Sequence, residues 1–163
     1  MNTFDNIIGK TITNIQRLDC VVDYDFYSPY SIIITLDNQI EKLIITTTND
    51  GSSVDIRMTN DEQIEIDYGL EFNEHILNDL KQDDELCSFI GDKLQIIRIA
   101  EYVLSEIEGL GFVIKQGKCA GVEILTEKHK FLFQNNFGGR LDIDEGVSEL
   151  KNKDRWKWKN SFE

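Results

Sequence analysis

The sequence predicts an α+β fold that is predominantly antiparallel β: two pseudo-repeated β-meander halves with one short helix, at about residues 73–82, between them. Three observations carry this expectation: short β-branched runs parted by turn residues, one helix-type apolar pattern near the middle, and segments that return later in the same order. At 163 residues the chain is long enough to bury roughly 70% of its unfolded surface around one core. A single domain over 1–163 is expected, with pseudo-repeats at 8–68 and 90–145 joined by an acidic helical linker at 69–89.

The strand-like runs come first. Residues 31–36 (SIIITL), 41–47 (EKLIITT), 53–58 (SVDIRM) and 63–68 (QIEIDY) are short, β-branched and separated by turn material such as Asp37-Asn38 and Asn49-Asp50-Gly51. They read as an antiparallel meander. In QIEIDY the alternation places Ile64, Ile66 and Tyr68 on one face and Glu65 and Asp67 on the other. Residues 73–82 (NEHILNDLKQ) then supply the helix pattern, with Ile76, Leu77 and Leu80 at i, i+1 and i+4 and Asn73 placed to cap it. The apolar stretch at 93–107 (KLQIIRIAEYVLSEI) is rich in isoleucine and reads as strand, a helix of that length being the alternative. FVIK, VEIL, KFLFQ and RLDID complete a second strand series.

Laid side by side, the two series match. IGKTITNIQRL at 8–18 aligns with IGDKLQIIRIA at 90–100, pairing Gly9 with Gly91, Ile12 with Leu94 and Ile15 with Ile97. TNDGSSVDI at 48–56 returns as NNFGGRLDI at 135–143, with Asn, Gly, Asp and Ile in the same four places. Both N-x-G turns suit a hairpin, where Asn bonds the reversing backbone and Gly accepts positive φ. A phosphate-binding loop would instead lead its glycines into a helix, and here a strand-like run follows each turn.

Composition narrows the function. The net charge is -13, and it is unevenly spread: residues 1–60 hold 8 acids and 4 bases, 61–108 hold 14 and 3, and 109–163 hold 8 and 10. So acidic a middle would repel a nucleic acid backbone and attract a basic protein. Three cysteines (Cys20, Cys87, Cys119) without C-x-x-C spacing argue against a disulfide framework and a zinc site. The start of the chain lacks a signal-peptide pattern, and no run approaches the ~18 apolar residues of a membrane helix, so a cytoplasmic protein with no membrane partner is expected.

No catalytic set emerges, and neither a cofactor nor a metal is expected. His75 and His129 have no ligand spacing, and the acids at 61–67 lack the order of a calcium loop. A Cys119–His129 pair is the one arrangement that would support an enzyme. The C-terminal KNKDRWKWKNSFE interleaves Trp156 and Trp158 with bases, which suits either base stacking or a strand with both rings packed on one sheet face.

A small, acidic, β-rich chain with a short helix and no catalytic set resembles the immunity proteins of bacterial polymorphic toxin systems, including contact-dependent growth inhibition. The resemblance covers the chain in style and implies a tight 1:1 inhibitor of one cognate toxin domain, commonly a nuclease with a basic cleft. From the residues themselves, the expected partner-binding face is acidic: Asp61, Glu65, Asp67, Glu74, Asp79, Asp83, Asp84 and Glu85, with Tyr27 and Tyr30 of DYDFYSPYS as anchors beside Tyr24 and Phe26. Two other readings stay open: a small enzyme or ligand-binding domain using a cleft between the repeats, and an acidic interaction protein that mimics DNA.

Overall fold

The computed structural model describes residues 4–20, 30–48, 52–70, 75–108, 112–135, 140–146 and 155–159. Twelve strands, one α-helix and one 3₁₀ turn are described there. In chain order they are β1 (Ile12–Cys20), β2 (Ser31–Leu36), β3 (Lys42–Thr47), β4 (Val54–Thr59), α1 (Asp61–Tyr68), β5 (His75–Asp79) and the 3₁₀ turn Glu85–Phe89. Then follow β6 (Leu94–Tyr102), β7 (Glu106–Glu108), β8 (Phe112–Ile114), β9 (Cys119–Thr126), β10 (Lys130–Asn135), β11 (Leu141–Glu145) and β12 (Trp156–Trp158).

Two five-stranded antiparallel sheets result, ordered β4-β3-β2-β1-β5 and β11-β10-β9-β6-β12, and β7 pairs with β8 in a small hairpin. With β6 read as the counterpart of β1, β9 of β2, β10 of β3, β11 of β4 and β12 of β5, the two orders are the same. Alternation explains why the sheets pack face to face. Ile32, Ile34, Leu43 and Ile45 of the first sheet and Val122, Ile124, Phe131 and Phe133 of the second point into one shared core. Each such side chain contributes about 1.5–3 kcal/mol when fully buried.

Backbone hydrogen bonds join the two halves where β1 and β6 begin. Thr11 and Lys93 form an antiparallel bridge. Around it the Gly9 N–H donates to Leu94 O (2.7 Å) and the Gly91 N–H to Ile12 O (2.8 Å), while Ile12 N–H donates to Asp92 O and Leu94 N–H to Lys10 O, both at 2.9 Å. Adding 82 to each number of one set gives the other, so the four bonds form two pairs related by a local two-fold. Gly9 (φ +84°) and Gly91 (φ +95°) adopt the left-handed conformation that this crossing requires. Just upstream, buried Phe4 and Ile7 in one half match buried Leu86 and Phe89 in the other.

The helix lies one element earlier than the sequence pattern suggests. Residues 63–68, which alternate like a strand, belong to α1: Asn60 Oδ1 accepts from the Gln63 N–H at 2.8 Å, Asp61 and Glu62 fill the first turn, and Gly69 closes the helix at φ 58°. Ile64 alone is buried, on Ile33 and Ile44 of the outer face of the first sheet, and Ile66 is left 68% exposed. These caps decide the structure over the period-2 pattern. Conversely, the described part of the segment expected as a helix, 75–82, is not helical, and residues 73 and 74 lie outside the described residues. His75–Asp79 is β5, which takes the free edge of β1 with Leu77 opposite Leu18. So short an apolar pattern has little helical stability of its own, and strand pairing prevails. The described residues of 69–89 therefore form no helical linker, since β5 belongs to the first sheet. In the stretch 93–107 the strand reading holds over β6.

The N-x-G turns join β3 to β4 and β10 to β11, each an antiparallel pair. Residues 49–51 and 136–139, which carry the Asn and Gly of the motif, lie outside the described residues. Among the described residues no helix is long and apolar enough to cross a membrane.

Candidate functional site

The acids expected to form one face are divided by the fold into groups with different electrostatics. Asp61 and Asp67 on α1 are engaged: Asp61 meets Lys42 Nζ at 2.7 Å, and Asp67 meets Arg57 Nη2 at 3.1 Å and accepts from Gln63. Glu62 and Glu65 have no ion-pair partner among the described residues, and the exposed Ile66 lies one turn on from Glu62. Asp79 sits on β5 and accepts from Gln16 Nε2 at 3.0 Å. Glu74 and Tyr27, with Tyr24 and Phe26, lie outside the described residues.

Asp84 is a structural carboxylate. Its oxygens take Arg17 Nε at 2.6 Å and Nη2 at 2.9 Å, and Oδ1 also caps the 3₁₀ turn by accepting from the Leu86 N–H at 3.0 Å. The side chain is 10% exposed and that of Arg17 12%, so the pair is internal and presents little charge to a partner. Tyr30 is similarly occupied: the Arg140 guanidinium lies 4.9 Å from its ring centroid and the His75 ring stands edge-on at 5.5 Å. It braces β2 and β5 against the entry to β11.

Asp83 and Glu85 behave differently. Both are exposed, and Glu85 finds itself among like charges. Burial raises its carboxyl above the ordinary value; Arg17 acts to lower it, and the carboxylates of Asp84, Asp144 and Glu145 raise it further. The packing explains this gathering of acids. Phe89, at the end of the 3₁₀ turn, packs on Phe131 with centroids 4.1 Å apart and the rings tilted by 49°, and Phe131 faces Glu145 across the β10–β11 pair. The result is an acidic ridge of Glu85 and Glu145, to which both halves contribute, with exposed Asp83 next to it in sequence and Asp144 beside it on the opposite face of β11. Asp144 and Glu145 are the acids that sequence reasoning missed, because they lie in the third of the chain where bases outnumber acids.

The histidines and cysteines have structural surroundings. Asp92 is 4% exposed and its Oδ2 accepts from Thr126 Oγ1 (2.6 Å) and meets His129 Nδ1 (2.8 Å), which ties the β9–β10 turn to the start of β6. Burial works to raise the Asp92 carboxyl, but these two hydrogen bonds and the charges of His129 and Lys128 hold it below its ordinary value. Cys119 opens β9 at the far end from His129; seven residue steps at ~3.3 Å put Cys119 and Thr126 about 23 Å apart. Burial pushes the Cys119 thiol up to about 12, so a Cys119–His129 nucleophile does not assemble. His75 Nδ1 lies 2.8 Å from Tyr68 O, beside a triad of hydroxyls from Ser31, Thr46 and Tyr68 that fastens the end of α1 to the first sheet. Among the described residues no three of His, Cys, Asp and Glu are grouped to hold a metal ion.

The tryptophans of the basic C-terminal segment pack on protein. β12 pairs with β6, Trp156 opposite Tyr102 and Trp158 opposite Ala100, and both rings lie over a small cluster on the outer face of the second sheet. Comparison of the chain with protein-family models, curated proteins and solved structures returned no match.

Proposed function

We propose that this chain is an inhibitor of the immunity-protein kind, which binds and neutralises one basic toxin domain, a nuclease, through acidic surface. The observation that carries this reading is the ridge at Glu85. A fold selected for stability alone would space these carboxylates apart or give them bases, as it does for Asp84, Asp61 and Asp67. Here Asp83, Glu85 and Glu145 stand exposed without an ion-pair partner among the described residues. A nuclease must hold phosphate with positive charge, so a clustered acidic surface imitates its substrate's field, speeds encounter and covers the cleft. The exposed Ile66, one turn on from Glu62 and next to Glu65 in sequence, offers an apolar anchor on a second acidic surface, that of α1.

The test uses the ridge and leaves Asp84 intact, since a change there breaks an internal ion pair. The chain and its D83N/E85Q/D144N/E145Q variant are immobilised and used to capture proteins from the producing cells, with elution by a salt gradient. The reading expects a basic protein whose toxic activity is blocked by the wild-type chain, with an association rate that falls at least about tenfold in the variant at low salt. Equal capture by both forms, or a captured protein whose activity the chain leaves untouched, would overturn it.

A further inference from the structure

A second, separate feature lies on the outer face of the second sheet. Glu123, in the middle of β9, stands between Arg98 of β6 and Leu132 of β10 in register. It is fully covered, at 0% exposure, yet only one of its oxygens is used: Arg98 Nη1 donates to Oε1 at 3.0 Å, and Oε2 has no hydrogen-bond partner. A buried carboxylate with one oxygen idle is costly, and most such groups in proteins are satisfied. Arg98 itself is shared, since its Cζ lies 4.2 Å from the Trp158 ring centroid, within the range of a cation–π contact. Trp158 is edge-on to Trp156 at 5.2 Å, and the Trp156 Nε1 donor is also buried without an acceptor.

We propose that this face is a binding site for a guanidinium group, in which Arg98 is the resident occupant. The Trp158 ring accepts the flat face of the cation and Glu123 accepts its N–H edge, the two surfaces that a planar, delocalised cation presents. Arg98 reaches the carboxylate from the neighbouring strand and engages one oxygen. An untethered guanidinium aligns two parallel N–H groups on Oε1 and Oε2, the stronger arrangement. The Arg98 side chain is 42% exposed, so it can turn out to solvent and yield its place. An ammonium, which has no flat face or fork, fits less well. Outward Asp142 and Asp144 on β11 add negative charge to the same side of the sheet.

The only two tryptophans of the chain belong to this site, so intrinsic fluorescence of the full-length protein reports on it directly. The probes are agmatine, as a free guanidinium, a capped Gly-Arg-Gly peptide, as one presented by a protein, and capped Gly-Lys-Gly as control. Saturable quenching or enhancement by agmatine or the arginine peptide supports the site, and the tighter of the two names the source of the ligand. E123Q weakens binding at least about tenfold. R98A, which removes the competitor, tightens it about tenfold, and millimolar agmatine raises its melting temperature more than that of the wild type. A gain of affinity is an effect that a merely damaged site does not produce, so the R98A result stands even if E123Q folds poorly. A response that does not saturate, an equal response to the lysine peptide, or unchanged or weaker binding by R98A overturns the proposal.

Discussion

At position 17 the first half places an arginine in β1; at the matching position 99 the second half places an isoleucine in β6. Arg17 is held internally by Asp84, whereas Ile99 simply packs against the shared core. The two halves therefore solve the same packing problem in two ways, one polar and one apolar. What differs is the dependence on a partner: Ile99 needs only neighbours, while Arg17 needs one particular carboxylate, supplied from 67 residues away. That carboxylate also fixes the 3₁₀ turn from which Glu85 projects. The polar solution thus positions the acidic ridge, which the apolar one has no means of doing.

The largest effect expected from this contrast comes from breaking the pair. Arg17→Ala leaves Asp84 internal and unpaired, which should cost about 3–5 kcal/mol in urea unfolding. Converting the first half to the chemistry of the second, with Arg17→Ile and Asp84→Leu together, should recover most of that loss, short of ~1 kcal/mol for the missing cap on Leu86. A double variant no more stable than the single one would show that the two positions are not equivalent in packing.

The next contrast should come out even. Gly9 and Gly91 adopt matching conformations in matching hydrogen-bond patterns, and a Cβ at either would meet nothing within 4 Å. Alanine at either position therefore carries only the backbone penalty of the left-handed region, about 1–2 kcal/mol. Chemical denaturation of G9A and G91A should give losses that agree within ~0.5 kcal/mol. A markedly larger loss at one glycine would mean that the crossing is symmetric in geometry but not in energy.

These two cases also mark how far the sequence could be read. Gly9 and Gly91 were legible as matched positions of the repeat, though not as the positive-φ residues of a crossing between halves, and the strands flanking both N-x-G turns were legible from β-branched runs. The α1 helix was not, because its isoleucines fall at a spacing of two and only its caps, Asn60 and Gly69, declare it. Nor was β5 legible, since nothing local says that five residues will complete the edge of β1. The site suffers most from this. Arg17 with Asp84, and Glu85 with Asp144 and Glu145, are brought together by packing between halves, and a charge count along the chain assigns Asp144 and Glu145 to a region that looks basic.

The smallest effect in stability is the most informative for function. Because the Glu85 carboxyl is raised in the folded chain, its charged form is disfavoured by folding; that cost is present near neutral pH and disappears as the pH falls below the ordinary carboxylate range, where the group is protonated folded or unfolded. Glu85→Gln should accordingly stabilise the protein at pH 7, by no more than ~0.5 kcal/mol given its exposure to solvent, and should bring no gain in acid. The same substitution should slow association with a basic partner at low salt. Glu145→Gln should likewise slow association at low salt, whereas Lys substituted for Ile96, exposed on the second sheet, should leave the pH dependence of stability unchanged. Melting curves across pH, set beside association rates across salt, therefore separate two causes of the clustered charge. A stabilised Glu85→Gln variant that binds its partner as fast as the wild type would mean that the ridge is an accident of packing between the halves; a stabilised variant that binds slowly would mean that stability is given up there for encounter.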